Sequence, residues 1–165
     1  MFAYNLVTAS LREGHFLTTR GDADSRYGPV LNTRVLNNTV HLTGSASLAL
    51  LCLSRCTPDI LTFRNNLIWA AKIGSANGSF TEGYNLYWGP LGVQGMNFAI
   101  SSTSRRADPR FVDRAAGNLR LASTSPARDA AGRSALELGY ARDLDRRAVP
   151  QAGAVDMGAY ERSAP

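Results

Sequence analysis

The chain has 165 residues, 44% hydrophobic and 19% charged, a balance that fits one folded domain and excludes wholesale disorder. Its longest apolar run, Leu48 to Leu53, is six residues, far short of the roughly 18 that cross a bilayer as a helix. The net charge is +5, and seventeen of the eighteen basic residues are arginine, scattered and often beside aspartate, as in Asp108-Pro109-Arg110. That scatter speaks against a nucleic-acid-binding face, which clusters its charge.

Met1 to Val7 is a hydrophobic, strand-like start with no charge before Arg12. It lacks the basic region and long apolar core of a signal peptide. Residues 8–32 match no recognisable pattern. Within them, Arg20-Gly21-Asp22-Ala23-Asp24-Ser25 carries two carboxylates, too few for a calcium loop, and reads as a solvated insertion. Short apolar or β-branched runs follow at Thr33 to Leu36, Thr39 to Leu42, Ile60 to Phe63, Leu67 to Trp69, Leu86 to Trp88 and Phe98 to Ile100, separated by Gly, Asn, Ser and Pro. They predict strands. Ala46 to Leu53 fits a short helix or a buried strand equally well. No helical apolar stripe is sustained, so the chain is expected to be all-β. Charge density rises after Ser101-Ser102-Thr103-Ser104-Arg105-Arg106, which divides residues 1–107, the strand region, from 108–165, an irregular tail of the same domain.

A repeat organises the strand region. Asn38 precedes Thr39-Val40, Asn66 precedes Leu67-Ile68 at an offset of 28, and Asn85 precedes Leu86-Tyr87 at a further 19. Asn5, before Leu6-Val7, is a weaker fourth member. Such irregular spacing suits a coil of short strands with turns of varying length. Asn tolerates the left-handed backbone that a tight turn demands. Stacked coils would place these amides about 4.8 Å apart, close enough for Asn38, Asn66 and Asn85 to form a hydrogen-bonded ladder.

These residues resemble a known group. Asn65-Asn66-Leu67-Ile68-Trp69 and Gly83-Tyr84-Asn85-Leu86-Tyr87-Trp88 are similar to late coils of right-handed parallel β-helix proteins of the pectate-lyase-like superfamily. The tail segments Asp108-Pro109-Arg110-Phe111-Val112-Asp113, Ser125-Pro126-Ala127-Arg128-Asp129-Ala130 and Val155-Asp156-Met157-Gly158-Ala159-Tyr160-Glu161 resemble the C-terminal signature of secreted bacterial members. Arg128 stands where that pattern has an aliphatic residue, and Arg146 where a Gly is common. The resemblance implies a right-handed parallel β-helix of about four coils, with the tail packed on it. It implies an extracellular or cell-surface parent, of which this chain is the C-terminal segment. Solenoids need capped ends, so residues 2–7 are expected to form a coil strand with one open edge, covered by upstream coils or by self-association.

Two functions follow as expectations. One is a structural or carbohydrate-binding segment with a polysaccharide as partner. The alternative is a polysaccharide lyase or glycoside hydrolase acting on acidic polysaccharide. A lyase needs a basic residue beside a neutralised carboxylate, for which Lys72 and Arg64 are candidates. A hydrolase needs paired carboxylates, and Asp59 and Glu82 are the acids of the central coils. No catalytic set is assigned. Trp69, Lys72, Tyr87 and Trp88 are the candidate carbohydrate-binding residues. No metal site is assigned and no cofactor is called for. Calcium enters only as an option for Asp143, Asp145, Asp156 and Glu161, against ion pairs with Arg142, Arg146, Arg147 and Arg162. His15 and His41 have no partner arrangement. Cys52 and Cys56 would lie some 13 Å apart in an extended strand, too far for a disulfide unless Ser54-Arg55 turns.

Overall fold

The structure is a computed structural model in which residues 1–22, 26, 28–151 and 153–162 are described. The proposed insertion at Arg20–Ser25 therefore lies partly outside the described residues. The backbone is all-β apart from a single 3-10 turn at Leu136–Leu138 among the described residues.

The chain makes repeated passes, each contributing one strand to each of several sheets. The first pass holds β1 (Phe2–Ala3), β2 (Leu6–Ala9) and β3 (His15–Arg20); the second holds β4 (Thr33–Leu36), β5 (Thr39–Leu42) and β6 (Leu48–Cys56). The third holds β7 (Leu61–Arg64), β8 (Leu67–Trp69) and β9 (Lys72–Gly78); then come β10 (Thr81–Gly83), β11 (Leu86–Trp88) and β12 (Arg105–Arg106). The sheets are ordered β1-β4-β7-β10, β2-β5-β8-β11-β12 and β3-β6-β9, and every pairing in them is parallel. Phe2, Val35 and Phe63 share one register row, and Val7, Val40, Ile68 and Tyr87 another.

Burial explains this register. Val35, Val40, Leu50, Phe63, Ile68 and Tyr87 belong to one buried cluster between the sheets, so a slip of one residue would turn each strand's apolar set outward. The apolar run Phe98 to Ile100 is not a strand. Phe98 stacks edge-on against Phe80 and Tyr87 at 5.1 and 6.0 Å and closes that end of the cluster. Residues 2–7 are two strands rather than one, because the chain turns a corner at Tyr4, whose φ is 52°. The unassigned stretch after Ala9 contains β3, and Lys72–Gly78 is a strand rather than a connection.

The left-handed corner residue is not the ladder Asn but the residue before it. Tyr4, Asn37, Asn65 and Tyr84 have φ between 51° and 61°, and Asn5, Asn38, Asn66 and Asn85 follow them. Asn5, Asn38 and Asn66 each donate their backbone N–H and amide Nδ2 to the Oδ1 of the next Asn. The Nδ2 distances are 2.8 Å (Asn5 to Asn38), 2.9 Å (Asn38 to Asn66) and 3.1 Å (Asn66 to Asn85). The N–H bonds run in parallel at 3.0, 3.0 and 2.8 Å.

Ser54 and Arg55 also adopt positive φ, 49° and 62°. This bulge brings the Cα atoms of Cys52 and Cys56 to 5.6 Å, and the two form a disulfide.

After β12 the chain forms an antiparallel pair, β13 (Phe111–Asp113) with β14 (Asn118–Leu121), and then runs back over the sheets. Ala127 and Met157 pack on Leu67 and Leu86, while Ala135, Val149 and Val155 pack on Tyr4 and Leu36. Gly158 donates its N–H to the Asn65 carbonyl at 2.8 Å, and Ala159 donates to Thr39 Oγ1 at 2.9 Å. Arg146, where the tail pattern has Gly, takes φ 64° and so keeps the turn.

Candidate functional site

The four carbohydrate-binding candidates do not form one surface. Tyr87 points inward and is 1% exposed, its hydroxyl donating to Glu82 Oε1 at 3.0 Å. Trp69 and Trp88 are register partners on the middle sheet, but Trp69 is 7% exposed. The Arg114 guanidinium covers it at 4.7 Å and the His41 ring lies at 4.8 Å. Burial and Arg114 hold His41 below its ordinary pKa, which keeps the imidazole neutral. Trp88 is half-buried, and Lys72 is exposed at the start of a third sheet. Alternation along β11 decides the case of Tyr87: its neighbours Leu86 and Trp88 face the other side.

The acids of the central coils are placed apart. Asp59 sits in the exposed turn before β7. Glu82 is the register partner of Phe63 and ends the ladder. Its carboxylate accepts from Asn85 Nδ2 (2.8 Å), the Ser101 N–H (2.6 Å), Tyr87 Oη and Ser104 Oγ (2.5 Å). A carboxylate so occupied serves the fold.

The tail acids are likewise spent on backbone. Asp143 accepts from the N–H of Arg147 and of Glu161, Asp156 from Asp129 and Arg162, and Glu161 from Asp156 and Gln151. Asp145 instead pairs with Arg120 at 2.7 Å. Among the described residues no group of three or more His, Cys, Asp or Glu side chains is arranged to hold a metal ion.

A cleft with unspent charge lies elsewhere, on the outer face of the sheet β1-β4-β7-β10. Arg34, Thr62 and Thr81 stand in one register row across β4, β7 and β10, and Leu36 and Arg64 in the next row but one. Alternation along the strands turns these residues outward while Val35 and Phe63 point in. The tail supplies the opposite wall with Arg133, Ser134 and Glu137. Asn65 pins that wall, donating from Nδ2 to the Gly132 carbonyl at 2.7 Å and accepting the Gly132 N–H at 2.9 Å. Two adjoining clefts of about 400 and 280 Å³ share Arg64, Ser134 and Glu137.

The Arg64 guanidinium lies over the Tyr84 ring at 5.2 Å, and its buried Nε has no hydrogen-bond partner. Among the described residues none of Arg34, Arg64 and Arg133 forms an ion pair. Across the two clefts the lining holds Arg34, Arg64 and Arg133 and one carboxylate, Glu137. Guanidinium forks match carboxylates bidentately, and the flanking Thr62, Thr81 and Ser134 hydroxyls both donate and accept. The cleft is suited to an anionic, hydroxyl-rich ligand. Sequence reasoning named Arg64 but not Arg34, Thr62 or Thr81. The repeat offsets of 28 and 19 align all three, and that alignment was the signal available.

Comparison with protein-family models, with curated proteins and with solved structures finds no match.

Proposed function

We propose that this chain is a segment of a right-handed parallel β-helix that binds acidic polysaccharide without catalysing its cleavage. The observation that carries the reading is the pair of adjoining clefts that Arg64 joins, one lined by Arg133 and the other by Arg34, with Glu137 the one acid in their lining. Uronate carboxylates would meet the guanidinium groups and the sugar hydroxyls would meet Thr62, Thr81 and Ser134. The non-catalytic part rests on the acids of the central coils and tail, most of which are consumed by structural hydrogen bonds. The parallel register and the Asn ladder support the β-helix. The Cys52–Cys56 disulfide supports an extracellular parent, since cytosolic thiols are kept reduced.

Affinity electrophoresis through polygalacturonate, with neutral dextran as control, tests the reading. Retardation by polygalacturonate alone is expected, and Arg34→Ala with Arg64→Ala should weaken it about tenfold or more. Equal migration in both gels would refute binding. Accumulation of unsaturated chain ends would refute the non-catalytic assignment in favour of a lyase.

A further inference from the structure

Tyr84 occupies a corner that the second and third passes of the chain give to asparagine. It follows Gly83 as Asn37 follows Leu36 and Asn65 follows Arg64, and Leu36, Arg64 and Gly83 share one register row. All three corner residues have φ between 51° and 61°. Asparagine tolerates that left-handed backbone, whereas a bulky residue there is strained. The two Asn residues also form a second amide ladder. Asn65 Nδ2 donates to Asn37 Oδ1 at 2.9 Å, and Asn37 Nδ2 donates to the Asp156 carbonyl at 3.3 Å. Tyr84 breaks this ladder. Tyr4, at the corner of the first pass, packs in an apolar cluster with Leu36, Val149 and Val155, so burial accounts for it. Tyr84 is only half-buried and packs against the Leu67–Leu86 cluster from outside.

Its ring is turned to Arg64, whose Cζ lies 5.2 Å from the ring centroid. On the tail side, a Cβ at Gly132 would meet Tyr84 Cδ2 and Cε2 at 3.1 Å. Glycine at that position lets the tail backbone press on the edge of the ring, and Asn65 pins Gly132 there through two hydrogen bonds. The Arg64 Nε is buried without an acceptor. Its terminal nitrogens, also without an acceptor among the described residues, are not buried. A buried donor left unpaired lowers stability, and the strained corner lowers it further. What both deliver is a fixed guanidinium with a free terminal edge, on the one arginine that lines both clefts.

We propose that Tyr84 is a positioning residue that fixes Arg64 as the anchor for one carboxylate of the ligand. The proposal rests on the acidic-polysaccharide reading and names the pair on which affinity turns. Cation–π attraction holds the guanidinium by one face, and its terminal nitrogens meet both oxygens of a uronate carboxylate. A guanidinium already ordered loses less side-chain entropy when the ligand arrives. Arg34 and Arg133 are exposed, and among the described residues neither lies over a ring. They add attraction that salt screens.

Substitutions at Tyr84 test this by two readouts: retardation in polygalacturonate, and hydrogen exchange of the Arg64 Nε–H in the unliganded chain. The Nε–H signals of Arg64 and Arg34 are assigned by their loss in Arg64→Lys and Arg34→Lys. Exchange at Arg64 is expected to be about tenfold slower than at Arg34. Tyr84→Leu keeps an apolar side chain without a π face. It should weaken retardation about tenfold and bring exchange at Arg64 to the rate at Arg34. Tyr84→Asn should do the same while the thermal midpoint stays within about 3 °C of wild type. Asn suits the corner, and its Nδ2 would donate to Asn65 Oδ1 as Asn65 donates to Asn37. Tyr84→Phe keeps the ring and should retain both wild-type readouts. Undiminished retardation or unchanged exchange in the Leu and Asn variants would overturn the positioning role and leave the polysaccharide reading standing. So would a Tyr84→Phe variant that behaves like Tyr84→Leu. A wild-type chain that polygalacturonate does not retard would overturn the polysaccharide reading and this proposal with it, whatever the exchange rates.

Discussion

Asn85 Nδ2 donates to Glu82 Oε1 at 2.8 Å, and this bond ends the ladder that the preceding Asn residues build. No fifth Asn continues the ladder after Asn85. Its backbone N–H goes to Ser104 Oγ at 2.9 Å, and that hydroxyl donates to the same Glu82 oxygen. One carboxylate and one hydroxyl together replace an amide, because an amide supplies both a donor and acceptors, whereas a carboxylate only accepts.

Replacing Glu82 by Ala would strand the hydroxyl of Tyr87 and one of the two Nδ2 hydrogens of Asn85, the other staying on the Phe63 carbonyl at 2.8 Å; both residues are buried. A loss of about 3 kcal/mol is expected, since buried donors without acceptors forfeit their full desolvation cost. Urea denaturation measures it. A stability equal to wild type would show that water takes the place of the carboxylate.

Asn66 should be the most sensitive rung, because its amide bridges three passes of the chain. Its Oδ1 serves Asn38, while its Nδ2 serves both Asn85 and the Val35 carbonyl at 2.9 Å. Asn66→Ala is expected to cost about 2–4 kcal/mol. Asn66→Asp should cost more, by replacing the donors with a buried charge. Asn5→Ala, at the exposed end, should cost under about 1 kcal/mol. If the three variants unfold alike in urea, the ladder contributes nothing particular to stability.

The tail should hold more firmly in acid than in alkali. Burial, with Asp156 and Asp143 nearby, raises Glu161 from its ordinary value to about 7 against the pull of its two backbone N–H donors. Burial raises Asp156 in the same direction. A carboxyl whose folded pKa lies above its unfolded one stabilises fully below the unfolded value and loses that contribution as pH rises through the folded value. Stability is therefore expected to fall between pH 4.5 and about 7. The Tyr4 hydroxyl, buried without a partner and itself raised by burial and by Glu161, belongs to the same pocket. Glu161→Gln should flatten the profile in thermal melts from pH 4 to 9. A profile unchanged by that substitution would exclude Glu161 as its source.

Gly158 separates tight docking from mere backbone freedom. Its φ is 98°, and a Cβ there would meet Thr39 Oγ1 at 2.6 Å and Leu67 Cβ at 3.3 Å. Gly117 has φ 76° but open space where its Cβ would go. Gly117→Ala should cost about 1 kcal/mol, the left-handed penalty alone. Gly158→Ala should cost about 2–4 kcal/mol, with the clash added, and should raise amide exchange across 155–161. Equal costs would mean that the tail is not seated closely on Thr39 and Leu67.

Much of the strand pattern was legible because burial imposes local alternation. Thr33–Leu36, Thr39–Leu42, Leu67–Trp69 and Leu86–Trp88 occupy the ranges that their apolar runs suggest. His15–Arg20 and Lys72–Gly78 were not legible. The first is rich in Thr and lies at the edge, and the second contains two glycines, so neither announces a buried face. Tyr87 and Trp88 look interchangeable in the sequence, yet one closes the interior and the other lies outside, because successive strand residues face opposite ways.

The sequence by itself determined the repeat: an Asn before each hydrophobic pair, at offsets that need only local turn and strand preferences to be read. The tertiary structure alone decided that the left-handed corner falls one residue earlier. It also decided that Glu82 ends the ladder and that Arg34, Arg64 and Arg133 line two adjoining clefts. Each of these depends on stacking residues distant in the chain. The stretches from Asn85 to Ser104, a separation of 19, and from Asn65 to Gly132, a separation of 67, carry no local mark of where their ends will meet. Contacts across such spans are set by how the whole chain buries its apolar surface, and only the folded stack records that.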